Sequence, residues 1–302
     1  MEPFKLDFVN LVENSVSVNT WNVYASAEKS FEKFRKNYDL EKIWPVPISH
    51  LINFIVYLAK NSYSPNTAKS HVAAIGFKMK MNNFTDSTDS FIVKQLLKGM
   101  SKTYKRADVR RPITVEILAD IIRILPQICN STYEAKLFSA VFVLAFRAFL
   151  RIGETVESGK SSHVIQKRDV ILNHTDKSVS VTINSSKTDQ YGLKTRLVLN
   201  SEFVNLSLYD QLHQYLSVWP SINGSFFCHF NHEKVTRYQV TVILKSAPRF
   251  LGYNENDYNT HSFRIGAATH AAKMGKSDDE IMTMDRWKSD SYKRYIRIDT
   301  II

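Results

Sequence analysis

For most of its length the chain spaces its apolar residues three and four apart, and one interruption of that rhythm constrains the fold more than any other feature. In DVILNHTDKSVSVTINSSKTDQYGLKTRLVLN, the runs Val170 to Leu172, Val179 to Ile183 and Leu193 to Leu199 alternate and are rich in β-branched side chains. Alternation puts successive side chains on opposite faces of a strand, a pattern that a helix cannot bury on one side. His174 to Lys177 and Ser185 to Gly192 separate the runs and are turn-like. The pattern predicts a mainly α protein with a small three-stranded antiparallel β-sheet, and Lys187 at the tip of the second loop.

A second break divides the chain. SKTYKRADVRR carries Lys102, Lys105, Arg106, Arg110 and Arg111 against one acidic residue, Asp108, and is followed by Pro112. Thr114 then caps a fresh apolar period, VEILADIIRIL. A polar, basic stretch before a new helical pattern marks a domain boundary, placed near residue 108. A helical N-terminal domain over 1–108 and a second domain over 109–302 are expected, and a chain of 302 residues with 44% hydrophobic content can supply a core to each. The basic stretch could also lie along a duplex and displace its counterions.

Within the first domain, PISHLINFIVYLAKN has helical spacing, and Ser64 with Pro65 opens another helix in SYSPNTAKSHVAAIGFKMKMNN. That helix carries Lys69, His71, Lys78 and Lys80 beside Val72, Ala73, Ile75 and Met79, so one side can pack while the other meets phosphates or stays a solvated charged face. In the second domain, LFSAVFVLAFRAFL is too short for a clean membrane span and is broken by Arg147, so it reads as a buried helix. Further on, SFRIGAATHAAKM ends at Gly275, Ser277 and Glu280 form a capping box, and a last helix is expected to start at Ser289 or Ser291.

Forty Lys and Arg against 29 Asp and Glu give a net charge of +11, which draws a protein to polyanions, nucleic acid first among them, although a merely basic soluble protein has the same balance. Cys129 and Cys228 make no disulfide framework, and the start MEPFKLDFVN lacks the apolar run of a signal peptide. A soluble protein of a reducing, intracellular compartment is expected, with no membrane partner. Cys228, His229 and His232 in FFCHFNH suggest zinc, but no second ligand cluster accompanies them, so a buried strand or turn and no metal are expected.

Breaking a DNA strand without a metal requires a nucleophile, cations around the non-bridging oxygens and a proton donor for the leaving oxygen. Arginine suits the second task, because its planar fork holds two phosphate oxygens and keeps its charge. In THSFRIGAATHAA, His261 and Arg264 open a helix three residues apart and share the face of its first turn, where free N–H groups favour an anion. Alone, the same spacing also describes a capping His and a surface Arg. No carboxylate cluster with two-metal spacing is present.

The order of the surrounding parts adds weight to the first reading. AFRAFLRIGE lies upstream, then Lys187 on its hairpin loop, then HSFR, then DRWKSDSYKRYIR. This order resembles the tyrosine recombinase, or phage integrase, family, in which R-x-x-E, a hairpin Lys, H-x-x-R, a His or Trp and a final Tyr follow one another. The upstream SPNTAKSHVAAIGFKMK is similar to the family's helical DNA-clamping domain, so the resemblance covers most of the chain. The wording HSFRIGAA and RWKSD…YKRYIR is most similar to recombinases of eukaryotic mobile elements of DIRS or Crypton type.

The resemblance implies a two-domain clamp, a helical core-binding domain followed by an α+β catalytic domain. It makes Tyr295 the nucleophile, eight residues after Trp287, with Tyr292 the alternative. It makes Arg151 the first arginine, braced by Glu154, with Arg147 the competing candidate one turn earlier. Lys187 would protonate the departing 5′ oxygen, with Lys194 as fallback; His261 and Arg264 would hold the phosphate, and the Trp287 indole would donate to one of its oxygens. Lys69, Lys78, Lys80, Lys102, Lys105, Arg106, Arg110 and Arg111 are the expected DNA contacts.

The implied activity is site-specific recombination or integration through a 3′-phosphotyrosyl intermediate, without cofactor, metal or ATP. Double-stranded DNA and a homo-oligomer, a dimer on a site and a tetramer at synapsis, are the expected partners. Seven residues follow Tyr295, fewer than the helix many members dock on a neighbouring subunit, so assembly is expected to use other surfaces unless the chain is trimmed. A type IB topoisomerase, rejoining the original strand, and a recombinase-derived protein that only binds DNA are the alternatives. The nucleus is the expected location for a eukaryotic or mobile-element protein, and the cytoplasm or nucleoid otherwise.

Overall fold

The structure is a computed structural model and describes residues 4–104, 108–157, 164–184, 194–200, 206–220, 224–287 and 290–297. The chain divides into two compact units, Met1–Asp108 and Val109–Ile302.

The first unit is built from α1 (Lys5–Glu13), α2 (Val18–Asn37), α3 (Ile48–Lys60), α4 (Pro65–Met81) and α5 (Phe91–Thr103). Local chemistry sets the starts. The Ser17 hydroxyl accepts from the Thr20 amide at 3.2 Å, and the Ser64 hydroxyl accepts from the Thr67 amide at 3.0 Å with Pro65 in the first helical position. The apolar faces of α2, α3 and α4 then close on one core that holds Phe31, Phe34, Leu51, Phe54, Leu58, Val72, Ile75 and Met79.

The composition of the α4 face differs from the expected one. His71 is buried, with Nδ1 2.8 Å from the Thr67 carbonyl, and burial lowers its pKa below the usual imidazole value, so it does not belong to a phosphate-facing surface. Ala73 is exposed, and Ala74 takes its place in the packed face. A helical turn of 3.6 residues explains both shifts: His71 lies with Val72 and Ile75 on the inward stripe, and Ala73 falls outside it. Lys69 is exposed, whereas Lys78 pairs with Glu28, and Lys80 lies 2.9 Å from Asp86 and 3.4 Å from Asp89.

The second unit is built around α7 (Thr132–Arg147), which is buried on every side from Leu137 to Phe146. Around it stand α6 (Val115–Ile128), the short α8 (Ile152–Thr155), α9 (Leu208–Leu216), α10 (Arg237–Phe250), α11 (Ser262–Lys273) and α12 (Asp278–Asp285). The sheet has the order β1 (Val170–Leu172), β2 (Val179–Ile183), β3 (Thr195–Leu199), antiparallel throughout, with Val181 opposite both Val170 and Leu197. Val179, Val181 and Ile183 face the core, as the alternation requires. Among the described residues β3 begins at Thr195; Leu193, where the alternation starts, lies outside them.

Among the described residues, no helix is long and apolar enough to cross a membrane. The caps read from the sequence recur: Thr114 on α6, and the Ser277–Glu280 box on α12, with the Ser277 amide 2.8 Å from the Glu280 carboxylate. Gly275 follows α11 in the left-handed region at φ 76°. The segment expected as a last helix is instead a 3₁₀ turn over Asp290–Arg294, extended when the Tyr295 amide donates to the Tyr292 carbonyl at 2.8 Å. Three-residue closure of this kind is usual in runs of only a few residues.

Gly266 lets α11 approach the strand of chain that enters the unit. A Cβ there would lie 1.8 Å from the Ile113 carbonyl oxygen, so no other residue fits without moving the backbone. The contact is sealed by the Ile113 amide donating to the Ser262 carbonyl at 3.0 Å.

Candidate active site

The site grows out of three places where helices begin or end. After α7 the chain turns sharply at Phe149, held at φ 52°, and Arg151 opens α8. The Arg151 amide donates to Glu154 Oε2 at 3.0 Å, and its guanidinium Nη1 donates to Glu154 Oε1 at 3.1 Å. Glu154 is nearly buried, so the pair is shielded and its geometry fixed. The same carboxylate accepts from Arg286 Nη2 at 3.2 Å, so one negative charge orients two guanidinium groups.

Arg147, the competing candidate, does not join this group. Its Nη2 donates to the Asn200 carbonyl at 2.6 Å and ties the end of α7 to the chain leaving β3.

At the start of α11, the Asn259 side chain accepts from the His261 amide at 2.8 Å and the Asn259 amide donates to the Ser262 hydroxyl at 3.0 Å. This places His261 at the mouth of the helix and Arg264 one turn in. Arg264 is not a surface residue: it is 1% exposed. Its guanidinium carbon lies 4.9 Å from the centre of the Trp287 ring and 5.7 Å from that of Tyr295, within the range at which a cation is attracted to a ring face.

The third place is the end of α12. Arg286 takes a left-handed conformation, φ 59°, which reverses the chain and carries Trp287 over the core. The Trp287 ring lies 5.0 Å from Tyr295 and 6.0 Å from Tyr292. The two tyrosines part here. Tyr292 is 1% exposed and belongs to the hydrophobic core, whereas Tyr295 is half-buried at its margin. Of the two candidate tyrosines, the core takes up the ring of Tyr292 completely and leaves that of Tyr295 partly exposed.

His261 reports how these parts converge. Its pKa is pushed down to about 4, first by burial and then by the positive charges of Arg110, Arg237, Arg264 and Arg151. Arg151 and Arg264, from α8 and α11, thus act on the same imidazole. That imidazole is neutral at pH 7 and can donate or accept a proton.

Lys187, Lys105 and Arg106 lie outside the described residues. Lys194 is exposed just before β3, and Lys102 is exposed at the end of α5. Arg110 and Arg111, read as part of a basic linker, are seated on the second unit. The Arg111 amide donates to the Asp257 carbonyl at 2.7 Å, and its guanidinium lies 3.4 Å from the Asp257 carboxylate.

Three residues of this neighbourhood were not singled out by sequence reasoning. Arg286 stands beside Trp287 in the quoted motif, but no spacing rule marks it. Arg237 sits in the first turn of α10, behind a Thr236–Gln239 capping box that the sequence does show, and its guanidinium is 3.4 Å from the Thr260 hydroxyl. Thr269 is fully buried in the middle of α11. Cys228 is buried with its thiol 4.0 Å from the Tyr215 hydroxyl, and His229 lies 4.0 Å from Glu134. Cys129 is half-buried, and burial, with Glu134 beside it, pushes its thiol pKa up to about 12.

The architecture is that of the tyrosine recombinase fold. Among solved structures, the XerH site-specific recombinase bound to difH substrate matches with a TM-score of 0.66 at 14% identity, over 92% of this chain and 76% of that chain. The Tn1549 transposon integrase in complex with circular intermediate DNA matches with 0.59 at 12%, over 95% and 92%. A lambda integrase tetramer bound to a Holliday junction matches with 0.64 at 13%, over 93% and 75%. No family profile matches the chain, and no curated protein matches it.

Proposed function

We propose that this chain is a site-specific DNA recombinase or integrase that cuts and rejoins strands through a 3′-phosphotyrosyl intermediate. The observation that carries the reading is that Arg264, buried in α11, lies against the rings of Trp287 and half-buried Tyr295, while the charges of Arg264 and Arg151 both act on His261 at the mouth of the same helix. The fold it shares with recombinases and integrases supports the same conclusion.

In this reading Arg151 and Arg264 grip the non-bridging oxygens of the scissile phosphate, and Glu154 holds Arg151 in register. Tyr295 attacks the phosphorus and forms the phosphotyrosyl bond as the 5′ oxygen leaves with a proton from Lys187. Neutral His261 takes or returns the phenolic proton, and the Trp287 indole N–H donates to a phosphate oxygen. A 5′ hydroxyl from a partner strand then reverses the reaction. The phosphodiester energy is kept in the covalent bond, so strand transfer requires no external energy source.

Duplex DNA is the partner, held by unit 1–108 as a clamping domain and by unit 109–302 as the catalytic one. Lys69, Lys78, Lys80, Lys102, Lys105, Arg106, Arg110 and Arg111 supply phosphate contacts. A dimer on each site and a tetramer at synapsis follow from a reaction that needs two sites and four strand cuts. The wording near the site suggests a mobile element of DIRS or Crypton type, which would work in the nucleus of a eukaryote, or otherwise in the cytoplasm or nucleoid.

The test is a nicked duplex incubated with the chain in EDTA. A covalent adduct with a free 5′ hydroxyl is expected, absent in Tyr295→Phe and retained in Tyr292→Phe. The reverse pattern would move the nucleophile to Tyr292, and no adduct on any candidate element end would leave only DNA binding.

A further inference from the structure

Thr269 has no task within its own helix that needs a hydroxyl. It is fully buried in α11, where its Oγ1 donates back to the Ile265 carbonyl at 2.7 Å, a bond that does little for a helix already satisfied. The same hydroxyl also reaches the Tyr295 carbonyl at 3.1 Å, so its one proton is shared between the two carbonyls, and it accepts from the Arg297 amide at 3.0 Å. The backbone on both sides of Ile296 is therefore fastened to one buried oxygen. Beyond it, Arg297 Nη1 donates to the Arg110 carbonyl at 2.9 Å. Arg110 belongs to the segment that the Arg111–Asp257 and Ile113–Ser262 backbone bonds and the missing side chain of Gly266 lock against α11.

We propose that Thr269 and Arg297 are positioning residues that hold the backbone of Tyr295 so that its phenolic oxygen lies in line with the scissile phosphate. The inference rests on Tyr295 being the nucleophile. Neither residue touches the reacting atoms. Thr269 fixes the peptide that carries the phenol to the helix that carries Arg264, and Arg297 fixes the chain after it to the entrance of the unit. Nucleophile and phosphate grip then move as one body. In-line attack is steep in distance, and a displacement near 1 Å costs about 100-fold in rate. The half-buried setting of Tyr295, against the full burial of Tyr292, makes the clamp necessary: a ring at the margin of a core is held less by packing than one inside it.

The experiment is single-turnover cleavage of a nicked duplex on which the unaltered chain forms its adduct, with DNA affinity and thermal unfolding measured on the same proteins. Thr269→Val keeps the shape and loses the hydroxyl, Thr269→Ser keeps the hydroxyl, and Arg297→Ala removes the second tether. Thr269→Val and Arg297→Ala are expected to slow the cleavage rate constant by about 10- to 100-fold, with DNA affinity and adduct end-point unchanged, and Thr269→Ser to stay within about threefold of the unaltered chain. A purely structural role would instead reduce the end-point, as folded protein is lost, and leave the rate constant of the remainder intact. That result, or full rates in both Thr269→Val and Arg297→Ala, overturns the proposal. A Tyr295→Phe arm separates the two levels: adduct formation there sinks the nucleophile assignment itself, whereas its absence beside full rates in the other variants sinks only the clamp.

Discussion

At His261, burial and the four arginines act in one direction, and the consequence is measurable. The folded chain holds this imidazole neutral down to about pH 4, while in the unfolded chain it takes up a proton near its ordinary value of 6.5. Between those values the unfolded state binds more protons, so folding stability is complete above about pH 6.5 and declines as pH falls toward 4. His50, His71 and His270, all lowered chiefly by burial, add to the same slope. Urea titrations of His261→Gln are expected to show a flatter decline over this window than the unaltered chain, and an equal slope in both would contradict the charge environment described for His261.

Glu154 is the second residue whose removal should be felt, because its carboxylate serves Arg151 and Arg286 together. Glu154→Gln leaves two partly buried guanidinium groups without their counter-charge, which costs about 3 kcal/mol in comparable settings and lets Arg151 drift. Lower thermal stability and weaker cleavage are expected together. A Glu154→Gln protein that melts like the original would mean that the shared carboxylate is not what holds the two arginines.

At the scale of elements, what could be read in advance was what local chemistry decides. Ser64 with Pro65, Thr114, and the Ser277–Glu280 pair each satisfy backbone groups within a few residues of themselves, so the sequence alone announces the helix starts they cap. The alternation through Val179 to Ile183 likewise needs only its own period. The remainder depends on parts of the chain far apart. Nothing near Gly266 shows that the Ile113 carbonyl will press against it, and nothing near Thr269 shows that Tyr295 and Arg297 will return to its hydroxyl. The same holds for Arg110, which reads as linker charge and is drawn to the site by the bonds of its neighbours. For the candidate site, the sequence offers residue types in a given order, but it does not show which tyrosine the core absorbs. The contact at Gly266 yields a prediction: Gly266→Ala must push α11 from the Arg110–Ile113 segment, at a cost of about 1–3 kcal/mol, with a matching fall in the denaturant midpoint. An unchanged midpoint would show that the close approach is not real.

For the whole molecule, the excess of 40 basic over 29 acidic residues sets how the proposed DNA binding would respond to salt. The logarithm of DNA affinity should fall steeply with the logarithm of salt, by about 0.9 in slope for each phosphate neutralised. Lys69 and Lys102 are exposed, while Lys78 and Lys80 are already engaged by Glu28, Asp86 and Asp89. Lys69→Gln and Lys102→Gln are therefore expected to flatten the slope more than Lys78→Gln and Lys80→Gln, and the opposite ranking would mean that the paired lysines exchange their partners for phosphate.

The central claim of the proposed function is that the Tyr295 phenol becomes joined to DNA while Arg151 and Arg264 grip the scissile phosphate. Its most direct test is to trap the covalent complex, digest both protein and DNA, and locate the residual nucleotide on the peptide by mass spectrometry. The account predicts a phosphonucleotide on Tyr295, formed in the unaltered chain and missing when Arg151 or Arg264 is replaced by alanine. A nucleotide on any other residue, or on Tyr295 at the same rate without those arginines, would contradict it.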